Sequence, residues 1–144
     1  MSGPSLSTKL QIALAAQAIF ALSLIFYVSQ TLLRHLQFGV PQPIADYVVQ
    51  LIAIIVPPAM LLLSLLALRC PRRAFLASVV AQLLVSLASA RILVPELLNM
   101  ARGEDPGWAG RLLLAGSAPV VLVSLALAAV FCYYLAATRH SRHA

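Results

Sequence analysis

Two glutamines are the strongly polar side chains placed deepest inside apolar stretches of this chain. Gln17 and Gln82 are each flanked by runs of Ala, Leu, Ile and Val. An amide left unpaired in hydrocarbon costs several kcal/mol, so each must find a partner. We expect both side chains to face neighbouring helices and to hydrogen-bond across them, which stabilises helix association by about 0.6 kcal/mol per contact. A polar lining for a substrate path is the functional alternative.

Three prolines and one arginine interrupt the same apolar stretches. Pro57, Pro58 and Pro119 lie inside them, and proline predicts a kink because it lacks a backbone donor. Transporters build binding sites from broken helices, but we expect static kinks here. Arg91 lies about 27 Å beyond Arg73 along a helix, near the far boundary of a bilayer. We expect a boundary residue that extends its guanidinium outward, with a functional gate as the alternative.

The other groups with catalytic or metal-binding capacity are scattered. His35 has no partners at metal-ligand spacing, and His140 and His143 lie far from it at the end of the chain. Cys70 and Cys132 form no CxxC pair. The chain contains no G-x-S-x-G, H-E-x-x-H or P-loop motif. The sequence therefore predicts no catalytic, cofactor-binding or metal site, and a protein that is not an enzyme.

Composition identifies the elements that must position these residues. Of the 144 residues, 62% are hydrophobic and only 10% are charged, whereas soluble domains are about 45–50% apolar and 25% charged. Such a chain has too little polar surface to cover a soluble core, and it is too apolar to be disordered. Its apolar runs also lack the alternation of a membrane barrel. The composition therefore predicts an all-α integral membrane protein.

Charged residues divide the chain into four apolar windows, each close to the roughly 20 residues that a membrane-crossing helix needs. We predict one domain, residues 1–144, with four transmembrane helices in a compact antiparallel bundle. The predicted spans cover about 10–33, 47–68, 74–94 and 112–137. Pro95 is suited to open a short outer helix over about 95–102. The run from Gly103 to Gly107 then breaks that helix.

The two predicted hairpins are weakly similar to each other. Residues 16–23 parallel residues 81–88 around the two glutamines, and Pro58 with Ser64 parallels Pro119 with Ser124. This similarity is compatible with a parallel repeat about an axis along the membrane normal. Chance similarity between Leu- and Ala-rich helices is the alternative, so the pattern alone does not establish a repeat.

Net charge predicts the orientation of the spans. One predicted side holds only basic residues, namely Lys9, Arg69, Arg72, Arg73, Arg139 and Arg142. On the other side Arg34, Arg91, Arg102 and Arg111 are balanced by Asp46, Glu96, Glu104 and Asp105. The net charge of +6 thus lies entirely on the side of the chain ends. Basic residues near spans are retained in the cytoplasm, so both termini are predicted to be cytoplasmic.

The same charges exclude one class of partner and indicate a source. They are mostly single residues at span boundaries, without the interleaved aromatic residues of a stacking platform, so we expect no nucleic acid. Nine arginines against one lysine, in a chain rich in Ala and Leu, indicate a GC-rich bacterium. We therefore predict a multi-pass protein of the bacterial inner membrane, surrounded by the lipid bilayer.

Function is predicted largely from what the chain lacks. We expect a non-enzymatic accessory protein, without cofactor, that binds another membrane component through helix faces, either a partner protein or copies of itself. The alternative is a small oligomeric transporter or channel lined by Gln17, Gln82 and the proline-kinked second and fourth spans. Immunity against a membrane-active toxin is a third hypothesis.

Overall fold

The apolar windows between the charged residues fold into four α-helices. The structure is a computed structural model that describes residues 8–38 and 44–140. The helices are α1 Thr8–Phe38, α2 Ile44–Leu66, α3 Pro71–Ala101 and α4 Gly107–His140. Each contains a stretch long and apolar enough to cross a membrane, and the described residues contain no strand. The predicted all-α bundle of four membrane-spanning helices is confirmed.

The four helices follow one another around the bundle as antiparallel neighbours. α1 packs on α2, α2 on α3 and α3 on α4, while the contact that closes the ring between α1 and α4 is the least extensive. The start of α1, the α2–α3 turn and the end of α4 share one end of the bundle, which we name the terminal side. The opposite end, with the α3–α4 turn, is the distal side.

Helix α3 is longer than predicted. It continues through Pro95 to Ala101, so the separate outer helix predicted over about 95–102 is the last part of α3. A proline removes one intrahelical hydrogen bond, which a kinked helix tolerates. The helix ends instead where Gly103 adopts a φ of +83°, a left-handed conformation that glycine enters without steric cost. The glycine-rich run ends this helix, and the proline does not.

Two apolar clusters fill the bundle at different heights. The terminal-side core joins α1, the α2–α3 turn, α3 and α4 and contains Leu10, Ala13, Leu14, Ala67, Ala74, Phe75, Leu127 and Phe131. Within it, the rings of Phe75 and Phe131 stack with centroids 5.5 Å apart. The distal core contains Ala21, Leu24, Val56, Met60, Ala81 and Val85. Gln17, Ser64, Ser78 and Gln82 lie near the level between the two cores.

Small buried residues explain why α3 and α4 make the most extensive contact. Ser78 and Ser86 on α3, and Ser124 and Ala128 on α4, are all buried. Small side chains let two helix backbones approach closely, which increases van der Waals contact. Helices α3 and α4 therefore form the most extensively packed pair of the bundle.

Candidate functional site

A hydrogen-bonded group of amides and hydroxyls lies between the two apolar cores. It consists of Gln17 from α1, Ser64 from α2, and Ser78 and Gln82 from α3, and we name it the amide–serine cluster. Gln17, Ser78 and Gln82 have no exposed surface, and Ser64 is also buried. Helical periodicity places them there, because each lies about one turn from a core residue of its own helix. The structure thus brings the two predicted glutamines together.

Gln17 is the centre of the cluster. Its Nε2 lies 3.0 Å from Ser64 Oγ, 3.1 Å from Ser78 Oγ and 3.1 Å from the Met60 carbonyl oxygen. An amide nitrogen has two protons, so three acceptors share two donors. Ser64 itself donates to the Met60 carbonyl at 2.9 Å. Through one side chain, α1 is therefore bonded to both α2 and α3.

Gln82 is bonded less completely. Its Nε2 donates to Gln17 Oε1 at 3.4 Å, which is a long contact. Its own Oε1 and the Oγ of Ser86 are buried without a hydrogen-bond partner in the described part of the chain. By contrast, Ser117 and Ser124 each donate to the carbonyl four residues earlier. Helix α3 therefore holds one unused acceptor and one unused hydroxyl inside the bundle.

The predicted prolines and Arg91 do not join this cluster. Pro57 is buried and lines a cavity on the distal side of the bundle. Pro58 and Pro119 are exposed, so they do not line the interior. Arg91 is exposed on α3 beside a groove. Of the six predicted positions, the structure brings only Gln17 and Gln82 into contact, with Pro57 nearby on the distal side.

The distal cavity has a volume of about 130 Å³ and is bounded by all four helices. Its lining is mostly aliphatic and includes Leu24, Ile52, Val85, Gly116 and Val120. At Gly116 no atom lies within 4 Å of the position that a Cβ would occupy. The cavity therefore has free volume beside α4, bordered by side chains that offer an apolar guest dispersion contacts and few hydrogen bonds.

A groove on the outside of α2 and α3 adjoins this cavity. It encloses about 550 Å³ and is lined by Val48, Val49, Ile52, Leu87, Ala88, Ala90, Arg91 and Val94. Val49, Ile52 and Ala88 line the cavity as well. These three residues therefore border both spaces, and Arg91 is the charged residue among the described residues that line the groove.

The α3–α4 turn carries an ion pair outside the apolar windows. Asp105 Oδ1 accepts a hydrogen bond from the Gly107 N–H at 3.1 Å and lies 3.1 Å from Arg111 Nη2. The hydrogen bond from the Gly107 N–H lowers the pKa of this carboxyl below its ordinary value of 3.8, and the hydrogen bond from Arg111 lowers it further. Both side chains are about 70% exposed, so the pair orders the start of α4 and stabilises it little.

The described residues contain no group of three His, Cys, Asp or Glu side chains arranged to hold a metal ion. Cys70 and Cys132 are both exposed and unpaired by a disulfide.

The partners of the glutamines were not predicted from the sequence. Ser78, Gln82 and Ser86 follow one another at intervals of four residues, a spacing that places them on one helix face. That spacing was the available signal for Ser78 and Ser86. Ser64 had no comparable signal, because its position opposite Gln17 depends on how α1 packs on α2.

Comparison with known protein families, with curated proteins and with solved structures finds no match to this chain.

Proposed function

We propose that this chain is a multi-pass protein of a bacterial inner membrane, without catalytic activity, that binds another membrane protein through the exposed faces of α1 and α4. The proposal has two parts. The interior amides hold the bundle together, and the outward faces of these two helices contact the partner.

The observation that carries the proposal is a difference between the exposed faces of the helices. Along the apolar stretch of α3, the exposed uncharged residues are all large, namely Leu76, Val80, Leu83, Leu84 and Leu87. The exposed face of α2 is similar, with Leu51, Ile54, Ile55, Leu62 and Leu65. Large aliphatic side chains are suited to contact with lipid tails.

Besides large side chains, such as Leu122 and Tyr133 on α4, helices α1 and α4 also expose small residues. On α4 these include Ala115, Ala126, Ala129 and Ala136, which share one face because separations of three, seven and eleven residues return to the same side of a helix. Small residues are enriched where membrane helices pack on each other. These alanines therefore support a helix of another protein as the neighbour of α4.

Helix α1 also exposes small residues. Ala15, Ala16 and Ser23 are exposed on it, and Ser23 Oγ donates to the Ile19 carbonyl of its own helix at 3.0 Å, which leaves no polar cost at an apolar interface. The contact between α1 and α4 is the least extensive around the bundle. We propose that the partner contacts these small residues on α1 and on α4.

The charges support the proposed orientation. Lys9 begins α1, while Arg69, Arg72 and Arg73 flank the α2–α3 turn, so all four lie on the terminal side. The balanced charges of the α3–α4 turn lie on the distal side. By the positive-inside rule, the terminal side is cytoplasmic.

The test is quantitative co-isolation from native membranes in a mild detergent. We expect a second membrane protein at constant stoichiometry with the wild-type chain. Ala126→Leu and Ala129→Leu should each lower its recovery, because added volume separates closely packed helices. Leu83→Phe, which adds volume on the α3 face, is the control and should leave recovery unchanged. Recovery of the chain alone, or only as a homo-oligomer, would contradict the proposal.

One observation favours the second candidate, a small oligomeric transporter or channel. The distal cavity has Ser89 and Ser117 among its lining residues, and Gln82 Oε1 is buried without a partner among the described residues. The stacked Phe75 and Phe131 fill the terminal side, so a path would require their separation. In liposomes loaded with a proton- or potassium-sensitive dye, this candidate predicts a flux that Gln17→Leu and Gln82→Leu abolish in folded protein. Unchanged flux in both variants would exclude it.

A further inference from the structure

We propose that the groove between α2 and α3 is a phospholipid site, in which Arg91 binds the phosphate and the apolar lining holds an acyl chain. This face is separate from the α1–α4 surface of the proposed function, so either proposal can fail without the other.

The lining of the groove fits a hydrocarbon chain. Val48, Val49, Ile52, Leu87 and Val94 supply aliphatic surface, and Ala88 and Ala90 keep the groove open. Arg91 is the charged residue among the described residues that line it, and it lies at the distal rim. An apolar groove with one cation at its end matches the charge distribution of a phospholipid, whose anionic phosphate joins the apolar tails to the headgroup.

The depth of Arg91 matches the level of the phosphates. Arg91 is about 27 Å along the helix from Arg73, and the hydrocarbon layer is about 30 Å thick. With Arg73 at the terminal-side interface, Arg91 reaches the distal one. A guanidinium has five N–H donors and binds phosphate oxygens in a bidentate manner, so it can bind a phosphate in addition to its contacts within the chain.

Glu96 is the first carboxylate after Arg91 on α3, and it lies against α4. Glu96 Oε2 lies 2.8 Å from the position that a Cβ on Gly110 would occupy, so this side chain packs against the start of α4. It is not among the residues that line the α2–α3 groove.

The distal cavity lies next to the groove. Val49, Ile52 and Ala88 line both spaces. Apolar cavities of about 150 Å³ remain dry and accept benzene-sized guests, and this one has a volume of about 130 Å³. The bilayer supplies hydrocarbon at high concentration beside it. The end of an acyl chain is the occupant that fits this space.

Native mass spectrometry of the full chain in detergent, titrated with dioleoyl phosphatidylglycerol, tests the proposal. We expect one retained lipid per chain and about tenfold weaker retention for Arg91→Gln, which removes a charge-assisted contact. Arg91→Lys should lose less, since it keeps the charge. Ala88→Leu should weaken retention by filling the groove. Arg102→Gln, which removes a charge from the same side of the bundle, is the matched control and should bind like the wild type.

Four results would overturn the proposal. The first is an equal loss of lipid retention in Arg91→Gln and Arg102→Gln, and the second is unchanged retention in both Arg91→Gln and Ala88→Leu. The third is displacement of the lipid by glycerol phosphate alone. The fourth is a protein dimer in place of lipid adducts. Ala90→Phe provides a second groove-filling variant if Ala88→Leu does not fold. Ala126→Leu should retain lipid normally even if it loses the proposed protein partner, which separates this proposal from the proposed function.

Discussion

At the scale of single residues, Gln17 and Gln82 make unequal contributions to the bundle. Gln17 donates to groups on two other helices, whereas Gln82 makes one long contact and has an unused oxygen. A fully bonded amide stabilises helix packing, but a partly bonded one adds the cost of burial. Gln17 therefore holds the helices together, and Gln82 depends on it for its partner.

Replacing Gln17 by leucine should lower the free energy of unfolding by about 1–2 kcal/mol, since several contacts of about 0.6 kcal/mol are lost. The change also leaves Gln82 Nε2 without its acceptor. Gln11→Leu, at an exposed position of the same helix, should have little effect. Unfolding by SDS in detergent micelles provides the measurement. A Gln17→Leu variant as stable as the wild type would show that the cluster does not hold the helices together.

Two serines on α3 provide a matched comparison. Ser78 accepts from Gln17 at 3.1 Å, whereas Ser86 Oγ has no partner among the described residues. Ser78→Ala should therefore lower stability by about 0.6 kcal/mol, and Ser86→Ala should leave it unchanged or raise it, because an unsatisfied buried hydroxyl is removed. The same micelle assay measures both. A larger loss for Ser86→Ala than for Ser78→Ala would mean that Ser86 has a bonding partner.

At the scale of helices, the number and placement of the elements could be predicted from the sequence, but their ends could not. Charges at Lys9, Arg34 and Asp46 delimit apolar windows, and window length determines the number of spans. A proline inside a window does not indicate whether a helix stops or bends, so the predicted third span ends before α3 does. Gly103 is the residue that indicates the end of α3, because the helix ends where a residue in the left-handed conformation is needed.

Only part of the amide–serine cluster can be predicted from the sequence, for a different reason. An amide in an apolar window must be bonded, so Gln17 and Gln82 were predictable. A serine can bond to its own helix, as Ser23 and Ser29 do, so its presence does not show which way it faces. Identifying Ser64 as a partner requires the packing of α1 on α2.

Close packing of α3 on α4 predicts different effects for two alanines on α4. Ala128 is 6% exposed, whereas Ala126 is exposed on the opposite face. Ala128→Leu should lower the free energy of unfolding by about 1–3 kcal/mol through overpacking. Ala126→Leu should leave it unchanged. Equal stability of the two variants would contradict the close α3–α4 contact.

At the scale of the whole molecule, the proposed orientation can be measured at Cys70. This residue is exposed in the α2–α3 turn on the terminal side. A membrane-impermeant maleimide should label it in inverted inner-membrane vesicles and not in intact spheroplasts. Cys70→Ser should remove this labelling and report any background from Cys132. Labelling of Cys70 in intact spheroplasts would place the terminal side outside the cytoplasm.

We propose that the surface of the whole molecule contacts two kinds of neighbour. Large side chains on α2 and α3 are suited to lipid, and Arg91 to a phosphate, whereas small side chains on α1 and α4 are suited to another helix. The interior is mostly occupied by the protein's own side chains. We therefore propose that the function lies in lateral contacts within the membrane.

The most direct test of this assignment is the amount of a second membrane protein that co-isolates with wild-type, Ala129→Leu and Leu83→Phe chains in a mild detergent. We predict a partner at constant stoichiometry with the wild type and Leu83→Phe, and several-fold less with Ala129→Leu, while all three chains remain folded. A chain that is isolated without any second protein, or equal partner recovery in all three cases, would contradict binding through the α4 face.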